Sequence, residues 1–226
     1  MRLGAAPEAR YSEPMKLYNA DLSPNCLRVR AAIQELGLPV ELVEVDLRTR
    51  PRPPALLAVN PNGKVPAFVD DDGFSLFESR AISTYLASKL PERDLYPADA
   101  RRRALVDQWS YWAALQLSPP MQLVAFQRVF KPKFGMGPSD EAVVKEKLAE
   151  VDSNLPILDR ALEKGALEGK GWLVGELSLA DFAVAASFYL RKPAQISLAN
   201  TPHVERWIER LEALPSWRRA LPRTPL

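Results

Sequence analysis

A strand, a helix and a second strand fit into about thirty residues near the start of this chain, and few architectures accept that order at that length. Met15-Lys16-Leu17-Tyr18 reads as a short strand, followed by a turn at Asp21-Leu22-Ser23-Pro24-Asn25. Val29, Ala32, Ile33 and Leu36 then fall at i, i+3, i+4 and i+7, the spacing of one helix face. Gly37 and Pro39 end that helix, and Val40 to Asp46, rich in Val and Leu, reads as the second strand. Such a unit implies a parallel strand pair with a right-handed crossover.

The next stretch, Arg48 to Pro54, is basic and proline-rich and reads as a loop. Asn60-Pro61-Asn62-Gly63 is a strong turn signal. Pro66 to Val69 and Ser75 to Phe77 flank Asp70-Asp71-Asp72-Gly73, the pattern of a hairpin with its turn at the tip. A helix with Ile82, Tyr85 and Leu86 on one face completes the set near Leu90. The order β-α-β then β-β-α is the thioredoxin-like layout of α/β domains. Beyond a linker everything reads as helical. Ala104 to Phe130 is a long segment interrupted at Pro119-Pro120. Val144, Leu148, Val151, Leu155, Leu158 and Leu162 step by four and three along one amphipathic helix. Ser178 to Leu190 is apolar nearly all round and reads as a buried central helix. Thr201-Pro202 supplies N-cap and first position for a helix bearing Val204, Trp207, Ile208 and Leu211. The expected division is a disordered extension over 1–14, a thioredoxin-like α/β domain over 15–91, a linker over 92–99 and an all-α domain over 100–226.

Composition narrows the function classes. With 226 residues the chain can bury a core without disulfide or metal staples. Lys and Arg number 30 against 28 Asp and Glu, so no clustered basic excess points to nucleic acid. One Cys excludes an intrachain disulfide and a Cys-built zinc site, and one His excludes a multi-His metal cluster. We expect no metal. No apolar run approaches the ~18 residues of a membrane span, and the first residues lack the apolar core of a signal peptide. The expectation is a soluble, cytoplasmic protein.

Three places could carry chemistry. Ser23-Pro24-Asn25-Cys26 sits at the first strand-to-helix turn. Ser and Pro are default turn residues, so the plain reading is a helix cap. In a thioredoxin-like domain, however, a CxxC motif occupies this turn. Ser23 replaces the first Cys, and Cys26 keeps the second. A serine hydroxyl cannot be a redox thiol, but it can donate a hydrogen bond to a ligand's thiolate. Cys26 reads as a buried small hydrophobe, with a resolving thiol as the alternative. Val65-Pro66 opens the third strand, either as an ordinary strand start or as a cis-proline site whose preceding backbone is free to pair with an extended peptide. Glu78-Ser79 opens the following helix, either as an ordinary start or as a carboxylate site at a helix N-terminus. Together they describe a small acidic peptide thiol, glutathione.

The chain from 15 to 221 resembles the cytosolic glutathione S-transferases. The motifs are Asn60-Pro-Asn-Gly-Lys-Val-Pro-Ala, then Leu76-Phe-Glu-Ser-Arg-Ala-Ile, and Ser178-Leu-Ala-Asp181 after Trp172-Leu-Val-Gly175. Val129-Phe-Lys-Pro-Lys-Phe-Gly135 followed by Asp140-Glu-Ala-Val-Val144 resembles the plant-type phi class. Ser23-Pro-Asn-Cys-Leu-Arg-Val29 is similar to the serine-type turn of the phi and theta classes. The resemblance implies Ser23 as catalytic residue and Val65, beside Pro66, as the backbone partner of the cysteinyl unit. It implies Glu78 and Ser79 at the γ-glutamyl end, Lys64 beside that end, and Arg52 as the loop cation for the glycyl carboxylate. Glutathione is then a co-substrate and no further cofactor is needed. A small hydrophobic electrophile would sit against the helical domain, with Trp109, Trp112, Met121, Phe126 and Phe130 as candidates. A homodimer is expected on the same ground. Peroxide reduction or thiol-disulfide exchange by bound glutathione is the alternative activity, and a non-catalytic scaffold the third.

Overall fold

In the computed structural model, which describes residues 14–167 and 171–224, the first strand begins where the sequence places it. The extension expected over 1–14 lies outside the described residues except for Pro14. β1 (Met15–Asn19) buries Met15, Leu17 and Asn19, the two-residue period of a strand. α1 (Pro24–Leu36) puts Pro24 at its first position and stops at Gly37, whose φ of 71° is the left-handed cap that glycine accepts most readily. β2 (Val40–Glu44) returns parallel to β1, with Leu42 opposite Leu17. β3 (Ala67–Val69) runs antiparallel to β1, Phe68 opposite Leu17, and β4 (Ser75–Phe77) pairs antiparallel with β3. The sheet order is β2-β1-β3-β4, and α3 (Ser79–Ser88) packs back against α1. This is the thioredoxin-like arrangement.

One element departs from expectation here. α2 (Pro54–Val59) forms between the stretch read as a loop, which ends at Pro54, and the Asn60 turn, where no element is expected. It spans six residues and buries only Leu56, too little apolar periodicity to register.

The helical region departs in three places. α4 (Ala100–Trp112) does not break at the paired prolines. A π-helical turn over Ala113–Leu117 carries it into α5 (Ser118–Ala125), and a second over Phe126–Phe130 leads to α6 (Lys131–Lys133). Pro119 and Pro120 stand in the first turn of α5, after the widened ladder, where a missing N–H is tolerated. Asn154 Nδ2, from α7 (Glu141–Leu167), donates to Gln116 O at 3.3 Å, the carbonyl four residues before Pro120. α8 (Leu179–Ala185) is shorter than the run 178–190. Beyond Ala186 the ladder tightens to bonds of the i→i−3 type, from Ser187 N to Val184 O and from Phe188 N to Ala185 O, so Phe188 and Leu190 are buried in turns. α9 (Pro202–Ala213) is not capped by the Thr201 hydroxyl, which donates to Leu198 O at 3.0 Å. Asp159 of α7 caps it instead, accepting the N–H groups of His203 at 2.8 Å and Val204 at 3.0 Å, with His203 Nδ1 3.0 Å from its other oxygen.

α1 joins the two regions. One buried cluster runs from Leu17, Phe68 and Ile82 through Val29 to Trp109, Phe182 and Trp217 of the helical region. Arg30 adds a polar tie, donating through Nε to Ala220 O of α10 (Pro215–Ala220) at 2.8 Å and through Nη1 to Asn19 Oδ1 at 2.7 Å. Among the described residues no helix is long and apolar enough to cross a membrane.

Candidate active site

Ser23 is the N-cap of α1, with extended backbone at φ −78° and ψ 122°. Its Oγ accepts the Cys26 N–H at a long 3.4 Å, so the hydroxyl proton is left to point elsewhere. Cys26 lies behind it, fully buried, with Sγ accepting the Ala20 N–H at 3.4 Å. Burial pushes its thiol pKa up. A buried thiol held in its protonated form is the opposite of an attacking thiolate, so the resolving-thiol alternative loses its reagent.

A satellite cluster of Ala20, Cys26, Val45, Leu56, Val65 and Ala67 packs the next candidate beside this turn. The Val65-Pro66 bond is cis. Val65 precedes β3, and neither its N–H nor its C=O finds a partner among the described residues. Buried Asn60 holds the loop below: its Nδ2 donates to Lys64 O at 2.8 Å and its Oδ1 accepts Asn62 N at 3.1 Å. Gly63 sits in this turn at φ 61°, and a Cβ there would stand 3.0 Å from Arg52 Cγ. Arg52 thus borders the turn, its Nη1 spanning the carbonyls of Asp46 and Thr49 at 3.2 Å each. The Lys64 side chain is exposed.

Glu78 and Ser79 complete the corner. Glu78 has φ 73° and ψ 112°, a conformation that side-chain-bearing residues rarely adopt. Strain of this kind gathers where a structure holds a group in place for a ligand. Ser79 is the first residue of α3 and buried. The first intrahelical bond of α3 is Ile82 N to Glu78 O, so the N–H groups of Ser79 and Arg80 lie ahead of the ladder. A residue outside the expected site set, Arg28, ties the corner together. Arg28 of α1 donates through Nη1 to Asn25 Oδ1 at 2.5 Å and to Ser79 Oγ at 2.8 Å, bridging the two helix N-termini. Its spacing of three from Asn25 on an otherwise apolar face was the available signal.

The five apolar candidates separate. Phe126 and Phe130 line an open cleft with Pro24, Leu123 and Leu190, directly beside Ser23. Trp109 and Met121 are buried in the helical core, and Trp112 packs edge-on against Trp109 at 5.1 Å between ring centroids. These three do not line that cleft, because the side chains of Trp109 and Met121 point from α4 and α5 toward the core that α8 completes. The acidic run Asp70-Asp71-Asp72 gathers its carboxylates at the hairpin, where Tyr85 and Lys89 both bond Asp70.

Residues 17–94 match the family model for the glutathione S-transferase N-terminal domain, and residues 120–215 match that for the C-terminal domain. The chain is 36% identical to glutathione S-transferase 3 of Zea mays, over 94% of this chain and 96% of that protein. Among solved structures it is similar to glutathione S-transferase-I bound with lactoylglutathione, with a TM-score of 0.82 and 33% identity over 92% of this chain and 98% of that one. It is similar as well to glutathione S-transferase I from mais in complex with an atrazine glutathione conjugate, with a TM-score of 0.80 and 33% identity over 92% of this chain and 96% of that one. With both domains matched in order along one fold, the chain belongs to the glutathione S-transferase family and is a glutathione transferase.

Proposed function

We propose that this enzyme stabilises the thiolate of bound glutathione through the Ser23 hydroxyl and directs it onto a small hydrophobic electrophile in the cleft of Phe126 and Phe130. The observation that carries this reading is the Ser23 hydroxyl at the N-cap of α1, one residue before Pro24, which lines that apolar cleft. Glutathione would lie extended, its cysteinyl unit paired with the free Val65 backbone beside Pro66, as an added strand does. Its γ-glutamyl carboxylate would meet Ser79 and the first N–H groups of α3, with Glu78 facing the amino group and Lys64 beside it. Arg52, at the far edge of the same turn, suits the glycyl carboxylate.

The magnitudes are sufficient. A free thiol has a pKa near 8.5, and bringing it to about 6.5 needs about 2.7 kcal/mol. A hydrogen bond to a charged group contributes about 1.5–3 kcal/mol. The helix N-terminus adds about 0.3–2 kcal/mol. No protein base is required, since the thiolate is the nucleophile once it persists at neutral pH. The Phe126 and Phe130 rings bind the electrophile's apolar body and leave its reactive carbon toward Pro24 and Ser23. The fully buried Cys26 thiol disfavours disulfide exchange with the protein, so conjugation is the reading we hold.

An ultraviolet difference titration of bound glutathione tests it. Wild-type protein should carry a thiolate band whose midpoint lies one to two pH units below free glutathione, and Ser23→Ala should return it to the free value. An unshifted midpoint in both proteins would remove Ser23 from the mechanism.

A further inference from the structure

α1 and α3 meet at a charge that the chain itself does not neutralise. Arg28 is 1% exposed, and its Nη1 bonds are both to neutral oxygens. Its Nε and Nη2 are buried and lack any acceptor among the described residues. Burial first, and repulsion from Arg80 second, depress its pKa well below the ordinary guanidinium value. The opposing charges it feels belong to Cys26, whose own thiol is held neutral, and to exposed Glu78. Arg80 leaves a third buried nitrogen, Nη2, without a partner beside it. A guanidinium does not escape such a site by losing its proton. A buried cation lacking its anion is one of the costliest arrangements a fold can keep. The N-terminus of α3 adds positive potential on the same side. Two positive sources, the Arg28 guanidinium through its Nη1 bond and the N-terminus of α3, thus meet at the Ser79 hydroxyl, and an anion there is the component that would complement them.

We propose that Arg28 is the positioning residue that makes Ser79 a reader of carboxylate, fixing selectivity for the α-carboxylate of the γ-glutamyl unit. The Nη1 bond occupies a lone pair of Ser79 Oγ, so the hydroxyl proton becomes the group offered outward to the ligand. The charge behind the hydroxyl strengthens that donation. The inference rests on the assignment of Ser79 to the γ-glutamyl end.

Glutathione can be compared with its analogue in which 4-aminobutyryl replaces γ-glutamyl. The analogue keeps the thiol and the glycyl carboxylate and lacks only the α-carboxylate. Titration calorimetry gives the ratio of the two dissociation constants. Wild-type protein should prefer glutathione by about 10–100-fold, the value of a hydrogen bond to a charged group. Arg28→Gln should bring the ratio below about threefold, and Arg28→Lys should keep most of it. An unchanged ratio in Arg28→Gln, or an equal weakening of both ligands, would overturn the proposal, because a structural residue moves both alike. Arg28→Met, which carries no unmet donor, gives the same reading if the glutamine variant is unstable. Failure of both to fold would also overturn it, since Arg28 would then be structural. No glutathione binding by wild-type protein would instead remove the proposed function. Binding without preference in wild type would remove the Ser79 assignment alone.

Discussion

Two buried charges, one in each region, are treated in opposite ways. Asp181, at the start of α8, is completely buried and takes four donors: Ser178 N at 2.9 Å, Ser178 Oγ at 3.1 Å, Leu173 N at 3.1 Å and Trp207 Nε1 at 2.9 Å. It closes a capping box and pins α9 to α8. Arg28, equally buried between α1 and α3, has two neutral partners and two idle nitrogens. Asp181 lies in the first turn of α8 and Arg28 in the second turn of α1. The helical corner is closed on itself and serves stability. The α1–α3 corner is left electrostatically open, and it is where the proposed function puts the ligand's carboxylate.

That contrast has measurable consequences, the largest at Asp181. Asp181→Ala strands four donors and is expected to cost about 3–5 kcal/mol. At about 2–4 °C per kcal/mol for a chain of this size, Tm should fall by at least 6 °C. Glutathione affinity, measured on the folded fraction, should not change. A clear loss of affinity would mean the two corners are coupled and the contrast is false.

Asp181 also sets a pH dependence. Burial pushes its pKa up to about 6, against the pull of Trp207, Leu173 and Ser178. The unfolded value is near 3.9. Between these values the folded chain binds more protons than the unfolded one, so this residue's contribution is full below about pH 4 and falls as pH rises through about 6. Urea midpoints of wild type, minus those of Asp181→Asn, should decline across that window. A difference that rose with pH would show that the four donors outweigh burial.

Ser23→Ala is the converse. Losing a hydrogen bond to a thiolate costs about 1.5–3 kcal/mol, or about 10–150-fold in kcat/KM for an aryl halide. The 3.4 Å cap bond it also makes is weak, so the stability loss should sit at the low end of about 0.5–2 kcal/mol. A large fall in Tm with modest kinetics would make Ser23 a cap and little more.

Asp159→Ala extends the closed side. It removes the acceptor of two α9 N–H groups and the partner of His203, at an expected cost of about 1–2 kcal/mol with activity retained. Burial opposes the Asp159 charge, but the bonds from His203 and Val204 win and hold its pKa below the ordinary carboxylate value. Its contribution is therefore present above the unfolded carboxylate pKa and lost as pH falls through the folded one. Thermal melts of the variant should converge on wild type in acid.

The same division explains what the sequence disclosed. Period-two and helical patterns, with Gly37 and Pro24 as punctuation, reveal the strands and long helices, because burial of one face writes itself into residue order. α2 escaped, since a six-residue helix with one buried side chain has no period to detect. Ser23, Val65, Glu78 and Ser79 are legible as a helix cap, a strand start and a helix start, while their roles toward a ligand rest on the family resemblance. Arg28 left only the weak signal of its spacing from Asn25, because arginine is expected outside and only the fold shows it enclosed. Asp159 was hidden for another reason: the N–H groups it caps lie 44 and 45 residues further along the chain. Local pattern identifies caps that a residue makes for its own helix and misses those made for another.

The smallest effect separates strain held for a ligand from strain that is incidental. Glu78 is held at φ 73°, and a residue in so sparse a region costs about 1–3 kcal/mol. Glycine accepts positive φ freely but gives up about 0.5–1 kcal/mol of backbone entropy. Glu78→Gly should therefore stabilise the free protein by about 1 kcal/mol, a rise in Tm of about 2–4 °C. The carboxylate that the proposed binding mode sets against the ligand's amino group is lost at the same time, so glutathione affinity should fall while free stability rises. Glu78→Gln keeps the strain and the side-chain length, so it should lower affinity with no gain in Tm. If both variants melt with wild type, the strained backbone holds no reserve for the ligand, and the open corner owes its character to Arg28 alone.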